Sequence, residues 1–341
     1  MKNIVTIGGG TGSFTLLSGL KKYPVDITAI VTMADDGGST GRLRDELGVL
    51  PPGDVRQCLV ALSDSSELLR ELMNYRFERG GLKGHNFGNL LLSALEKIKG
   101  NFSGGVEEAA KILRVKGKVV PVSEEKMNLH IKLKNKQVVK GENQLDHNKD
   151  VRKYGIDKIY LRPNAKAYKK SIEAIKEADM VIIGPGDHYG SIIPNILVKG
   201  IPEALQKTKA MVVYVCNLTN KKGQTERFNL DDYAEAINGY IRKDRIDYVI
   251  SSTKNPDEEL IKVYEKKEGK GSLVMFDNKK EDKRGYKIVR ANVLCKKRTS
   301  RNKNDSIASA RSFIRHDSDK LAKVLIELLE IKNRKLIKKI I

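Results

Sequence analysis

Apolar runs of strand length alternate along this chain with segments whose leucines and isoleucines recur at helical spacing. Residues 2–23, KNIVTIGGGTGSFTLLSGLKKY, give an apolar run, a glycine turn and then helical periodicity. This is the strand-loop-helix opening of a parallel α/β unit. VDITAIVTM reads as a second buried strand, and further runs follow at ADMVIIGPG, KAMVVYVCN and IDYVISST, each with a helical segment before or after it. Runs without polar alternation suit strands covered on both faces, so the pattern predicts an α/β fold with a doubly wound, mainly parallel sheet.

Two regions break the rhythm. Residues 116–141, KGKVVPVSEEKMNLHIKLKNKQVVKG, alternate apolar and polar positions between turn residues, which predicts a β-hairpin or small meander inserted on the main domain. Residues 296–312, KKRTSRNKNDSIASARS, are polar throughout and predict a mobile loop. The chain then closes with an amphipathic helix, DSDKLAKVLIELLEIKNRKLIKK, with Asp317 or Ser318 as its N-cap. One domain is expected over residues 1–330, followed by a basic tail at 331–341.

Composition narrows the function class. The chain has 341 residues, 40% of them hydrophobic, enough for a substantial core. No stretch approaches the roughly 18 to 20 apolar residues of a membrane span, and MKNIVTIGGG lacks the features of a signal peptide. Cys58, Cys216 and Cys295 share no metal or redox spacing and fit a reduced compartment, so the expected location is the cytoplasm, without membrane insertion. A net charge of +21 raises nucleic acid as a partner. Dispersed lysines with no interleaved aromatics argue against it, and the same field would draw in acidic small ligands such as nucleotides.

The glycine loops carry the candidate chemistry. Gly8, Gly9, Gly10 and Gly12, with Thr11 between them, stand where backbone N–H groups and the helix dipole make an anion site. A dinucleotide fingerprint would need glycine where Ser13 stands, although Asp35 or Asp36 could still take a ribose hydroxyl. In MADDGGSTGRLRDELG, Gly37, Gly38 and Gly41 allow close approach, Ser39 and Thr40 offer hydroxyls, and Arg42 and Arg44 offer forks for phosphate oxygens. The aspartates could hold Mg²⁺ against a diphosphate, accept from ribose, or cap a helix. Asp54, in LPPGDVRQ, is equally a cap or a ligand. His85, Asn86 and Asn89 open a leucine-rich helix, where His85 is an acid-base candidate or a structural residue. After the later strands, Gly184, Gly186 and Gly190 frame Asp187, His188 and Ser191, with Asn195 one turn on; Asn217, Thr219, Gly223 and Thr225 end the next. Polar loops at the ends of several parallel strands converge on one crevice.

Together these stretches resemble a known family. IGGGTG, ADDGGSTGRLR, PPGDVRQCLVALS, GHNFGNLLLSAL, GPG with its following Ser, PN, LV and GI, YVCN and IRHDSDKLA occur in the order found in the bacterial gluconeogenesis factor family, which is related to 2-phospho-L-lactate transferase. The resemblance implies a Rossmann-like fold that binds a nucleotide sugar of the UDP-N-acetylglucosamine type and a regulatory role in cell shape and cell-wall homeostasis during gluconeogenic growth. It also implies that Tyr264 and Arg315 touch the ligand and that Ser318 is a phosphorylation position. In this reading no cofactor is required, and the partners are the UDP-sugar, a protein in cell-wall synthesis control and a second copy in a homodimer. The alternative is a transferase acting on a nucleoside diphosphate-linked substrate, with Mg²⁺ at Asp36 and Asp54. A nicotinamide-dependent dehydrogenase is a third class, weakened by Ser13 and by the second glycine loop. Two stretches depart from the family pattern: GDHYGS stands where the family often has Ser-Leu-Tyr-Thr-Ser after Gly-Pro-Gly, and LTNKKGQT where it often has Met-Thr-Gln-Pro-Gly-Glu-Thr.

Overall fold

The computed structural model describes residues 1–276, 284–295 and 314–331. In chain order, β1 (Lys2–Gly8), α1 (Gly10–Leu20), β2 (Val25–Val31), α2 (Gly38–Leu47) and α3 (Gly53–Leu62) lead into α4 (Glu67–Asn74), α5 (Phe87–Lys99) and α6 (Phe102–Ile112). Then come β3 (Lys118–Pro121), β4 (Asn128–Leu133), β5 (Val138–Lys140), α7 (Gln144–His147), α8 (Lys149–Tyr154) and β6 (Ile156–Arg162). The second half holds α9 (Lys169–Glu177), β7 (Met180–Ile183), a π-helical turn at His188–Ile192, α10 (Ile193–Ile196), α11 (Ile201–Lys207) and β8 (Met211–Val215). It closes with α12 (Leu230–Ile241), β9 (Tyr248–Ser252), α13 (Glu258–Glu268), β10 (Lys287–Ala291) and α14 (Ser318–Glu330).

Seven strands form one parallel sheet in the order β10-β9-β8-β7-β1-β2-β3. The apolar runs read from the sequence are its central members, and Ile4, Ile7, Ile30, Ile182, Val213 and Ile250 are all nearly inaccessible. Each such side chain contributes roughly 1.5–3 kcal/mol through burial, with helices covering both faces. Chain direction across the sheet reverses at β1, whose neighbours are β2 on one side and β7 on the other. A crevice therefore opens at the carboxyl ends of β1 and β7.

The stretch 116–141 is divided between two sheets, which corrects its reading as one inserted unit. Lys118–Pro121 is buried over its last three residues and pairs parallel to β2 as an edge strand of the main sheet. Only β4 and β5 form the antiparallel hairpin, and β6 completes this small three-stranded sheet by pairing with β4. β10 is likewise a strand that the apolar pattern does not reveal, because charged residues occupy its edge position in the sheet. The expected loop at 296–312 and the tail beyond Ile331 lie outside the described residues. Asp317 is the N-cap of α14, accepting from the N–H groups of Asp319 and Lys320 at 3.1 Å each, and Ser318 is the first helical residue. Among the described residues no helix is long and apolar enough to cross a membrane.

Candidate functional site

The start of α1 forms the floor of a cavity of about 320 Å³ at the crevice. Gly9 precedes the helix in extended conformation without a side-chain cap, and Gly10 has φ of +60°, the left-handed region that favours glycine. A Cβ at Gly12 would collide with the carbonyl of Pro185, so only glycine lets α1 approach the loop after β7. Gly9, Gly10, Thr11 and Gly12 all line the cavity, at the positive end of a helix whose N-cap residue offers no side-chain acceptor.

Carboxyls gather on the β2 side. Asp54, at the start of α3, accepts from the Gly10 N–H; burial, and next the Asp35 charge, push its carboxyl up to about 8. Asp35 accepts from the N–H of Gly37 at 2.9 Å, and burial raises it too. Glu142 projects from the segment between β5 and α7, and burial and then the neighbouring aspartates hold its carboxyl well above the carboxylate range. Asp36 is not on this wall. Its Oδ1 accepts the Asn143 N–H at 2.8 Å, and a Cβ at Gly141 would strike its carboxylate, so its neighbour Asp35 takes the place expected for it. Among the described residues no group of three or more His, Cys, Asp or Glu is arranged to hold a metal ion.

An ion cluster forms the β7–β8 side. Lys221 Nζ lies 2.5 Å from Asp187 Oδ2 and 2.7 Å and 2.9 Å from the two oxygens of Asp146. Burial alone would lower the Lys221 ammonium, but the two carboxylates outweigh it and hold it above its ordinary value. Burial would likewise raise Asp187, yet the Lys221 charge and the Gly190 N–H, donated at 2.7 Å, hold it low. Gln224 Nε2 donates to Asp146 Oδ1 at 3.0 Å and to the Leu145 carbonyl at 2.8 Å. The two stretches that depart from the family pattern, GDHYGS and LTNKKGQT, thus meet in direct contact. Asn217 reaches the same wall, donating to the Gly186 carbonyl at 2.8 Å and accepting from the Tyr214 hydroxyl at 2.9 Å.

Gly186, Gly190, Ser191, Thr219, Thr225 and Arg315 complete the expected residues that line the cavity together with His188, Arg315 beside Ile314 and His316 after β10. His188 packs edge-on against Tyr189 and Tyr233, with ring centroids at 4.7 Å and 5.2 Å. Among the described residues neither of its ring nitrogens has a hydrogen-bond partner, nor has His316 Nε2. Burial pulls both imidazoles down to about 4, so each is neutral at pH 7.

The remaining expected residues stand behind the wall. Ser39 Oγ accepts the Asn86 N–H at 3.2 Å and lies 3.4 Å from His85 Nδ1; Asn86 caps α5 through the Asn89 N–H at 3.2 Å. Asn89 Oδ1 takes the Nε–H of buried Arg56 at 3.0 Å, and its amide reaches Thr40 Oγ1 at 3.4 Å. This network staples α2 to α5. Arg42 is exposed and donates to the Lys83 carbonyl at 3.1 Å, and Gly38 begins α2 with φ of +47°. Gly184 has φ of +75° beneath the loop, while Asn195 is buried and donates to the carbonyls of Gly8 at 3.0 Å and Ser191 at 2.7 Å. Tyr264 packs with Leu294 and Ile314 in a small apolar cluster, one layer behind the cavity. Sequence reasoning did not single out Glu142, Asp146, Lys221 or Gln224. Lys221 and Gln224 sit inside a recognised glycine loop, whereas the first two carry no local signal.

Residues 4–294 match the family described as 2-phospho-L-lactate transferase CofD. The chain is 39% identical over 331 residues to the gluconeogenesis factor of Bacillus subtilis, covering 96% of this chain and 98% of that one. It is 48% identical over 238 residues to the gluconeogenesis factor of Halalkalibacterium halodurans, covering 69% and 73% of the two chains. The crystal structure of a UPF0052 family member from Bacillus halodurans superimposes with a TM-score of 0.85 at 37% identity, over 95% of this chain and 98% of that one.

Proposed function

The chain belongs to the 2-phospho-L-lactate transferase CofD family, and from that premise we propose that its cavity binds a nucleotide sugar of the UDP-N-acetylglucosamine type and that the protein is regulatory. The observation that carries this reading is the uncapped start of α1, opening into the cavity at the point where strand order reverses. The N–H groups of Thr11 and Gly12 would take diphosphate oxygens, with Asp54 holding the Gly10 N–H beside them, and Arg315 would add a bidentate cation. Asp54 has its carboxyl raised to about 8 and is largely protonated at pH 7, so it can stand beside a phosphate as a donor rather than a repelling charge. Asp35 is placed to accept from ribose, as carboxylates at the end of the second strand do in dinucleotide sites. The biological role that goes with this reading is control of cell shape and cell-wall homeostasis during gluconeogenic growth, exerted in the cytoplasm through a protein partner; it agrees with relatives named gluconeogenesis factors.

The family description favours a second reading, a transferase acting on a nucleoside diphosphate-linked substrate. Asp35 and Asp54 are neighbouring hard oxygen donors of the kind that hold Mg²⁺ together with substrate phosphates. The ion would neutralise charge on the transferring phosphate, while the α1 N–H groups orient it.

Isothermal titration with UDP-N-acetylglucosamine, with and without Mg²⁺, followed by chromatography of the recovered ligand, tests both. Binding with the ligand intact is the expected result. No binding overturns the nucleotide-sugar reading, and consumption of the ligand moves the assignment to the transferase.

A further inference from the structure

Two ends of the cavity differ in chemistry. On the nucleotide-sugar reading the phosphates sit at the start of α1, which lines the cavity, and strand order then gives the ligand two directions. Toward β2 lie Asp35 and Asp54, the ribose side of a doubly wound sheet. Toward β7 and β8 lie Asp187 and Lys221, closed off by Asp146 from α7. Whatever group is attached beyond the second phosphate must run in this second direction.

That end holds one ammonium between two carboxylates, net −1, so it does not suit a further phosphate. It does suit hydroxyl groups, which need acceptors and donors side by side: carboxylate oxygens on Asp146 and Asp187, the Lys221 ammonium, and the amide oxygen of Gln224, whose nitrogen is already engaged. The cluster remains within reach of a ligand, with 32% of the Lys221 and Asp146 side chains and 20% of Asp187 accessible. Its geometry is fixed from three separate stretches of chain, so a ligand meets polar groups already in place.

We propose that Lys221, Asp146, Asp187 and Gln224 form the specificity-determining end of the cavity, reading the hydroxyl groups of the sugar attached beyond the second phosphate. This rests on the nucleotide-sugar reading above and assigns the part of the ligand that each end holds. A ligand without the sugar leaves the cluster untouched; a sugar with its hydroxyls in other positions leaves buried polar groups unpaired.

The experiment compares UDP with UDP-N-acetylglucosamine by isothermal titration, on the wild-type chain and on the double variant Lys221→Gln with Asp187→Ser. Removing both charges together keeps the net charge of the cluster at −1, carried by partly exposed Asp146, which retains the Gln224 amide. The double variant is expected to lose about tenfold or more in affinity for the nucleotide sugar while its affinity for UDP stays within about twofold, which also shows that it is folded. Should the double variant fail to fold, Gln224→Ala is read the same way. Equal losses for both ligands, or no loss for either, overturn the assignment. A wild-type chain that binds UDP and the sugar nucleotide equally overturns it as well, while leaving the nucleotide site standing. A wild-type chain that binds neither overturns the nucleotide reading and this assignment with it.

Discussion

Asp36 Oδ1 accepts the backbone N–H of Asn143 at 2.8 Å, and this bond ties the loop after β2 to the segment that delivers Glu142 to the cavity. Asp36 is therefore a clasp, and its loss should loosen that segment rather than remove a ligand group. Asp36→Ala is expected to cost about 1.5–3 kcal/mol, the usual value of a hydrogen bond to a charged partner. Urea denaturation, together with limited proteolysis across residues 136–148, measures it. An unchanged midpoint with unchanged cleavage would remove Asp36 from this role.

Arg315 lines the cavity from the segment after β10. Arg315→Ala is expected to weaken nucleotide-sugar binding at least about tenfold, or about 1.4 kcal/mol. The dissociation constant from titration decides it, and an unchanged value places the guanidinium outside the contact set.

His188 and His316 are held neutral by burial, with folded-state values of about 4. In the unfolded chain an ordinary imidazole takes up its proton near pH 6.5, so as pH falls from about 6.5 toward 4 the unfolded state gains protons that the native state refuses. Each histidine then removes up to about 1.4 kcal/mol of stability per pH unit across that window. The raised carboxyls of Asp35, Asp54 and Glu142 act in the opposite sense, adding stability as pH falls. Comparison with His188→Leu isolates the imidazole. That variant should lose less stability than wild type between pH 6.5 and 4.5, and parallel stability curves would contradict the burial account.

What the sequence disclosed follows from how locally each feature is determined. β1, β2, β7, β8 and β9 are legible because strands covered on both faces carry near-continuous apolar runs over their buried residues. β3 and β10 escape the same test: each is a short edge strand with a charged first residue. The glycine loops after β1 and β7 announce the cavity, since backbone approach of the kind seen between Gly12 and Pro185 requires glycine whatever surrounds it. Hydroxyl, amide and imidazole groups in GGSTGR and GHNFGN look like ligand contacts, yet Ser39, Asn86 and Asn89 hydrogen-bond one another. Polar side chains at helix starts serve either purpose, and only their distance from the cavity separates the two. Glu142 and Asp146 reach the wall through a tertiary arrangement that no local pattern encodes.

The place of β1 in the middle of the sheet has a consequence for synthesis. Its one edge pairs with β2 within the first turn of the chain, but the other waits for β7, where Ile4 meets Met180. At ribosomal speeds of about 5–20 residues per second, that interval is on the order of ten seconds or more. Throughout it a strand buried over its last five residues in the finished fold presents an open ladder of N–H and C=O groups to its surroundings. A protein whose cavity straddles β1 and β7 thus cannot begin to assemble it until more than half of the chain has left the ribosome.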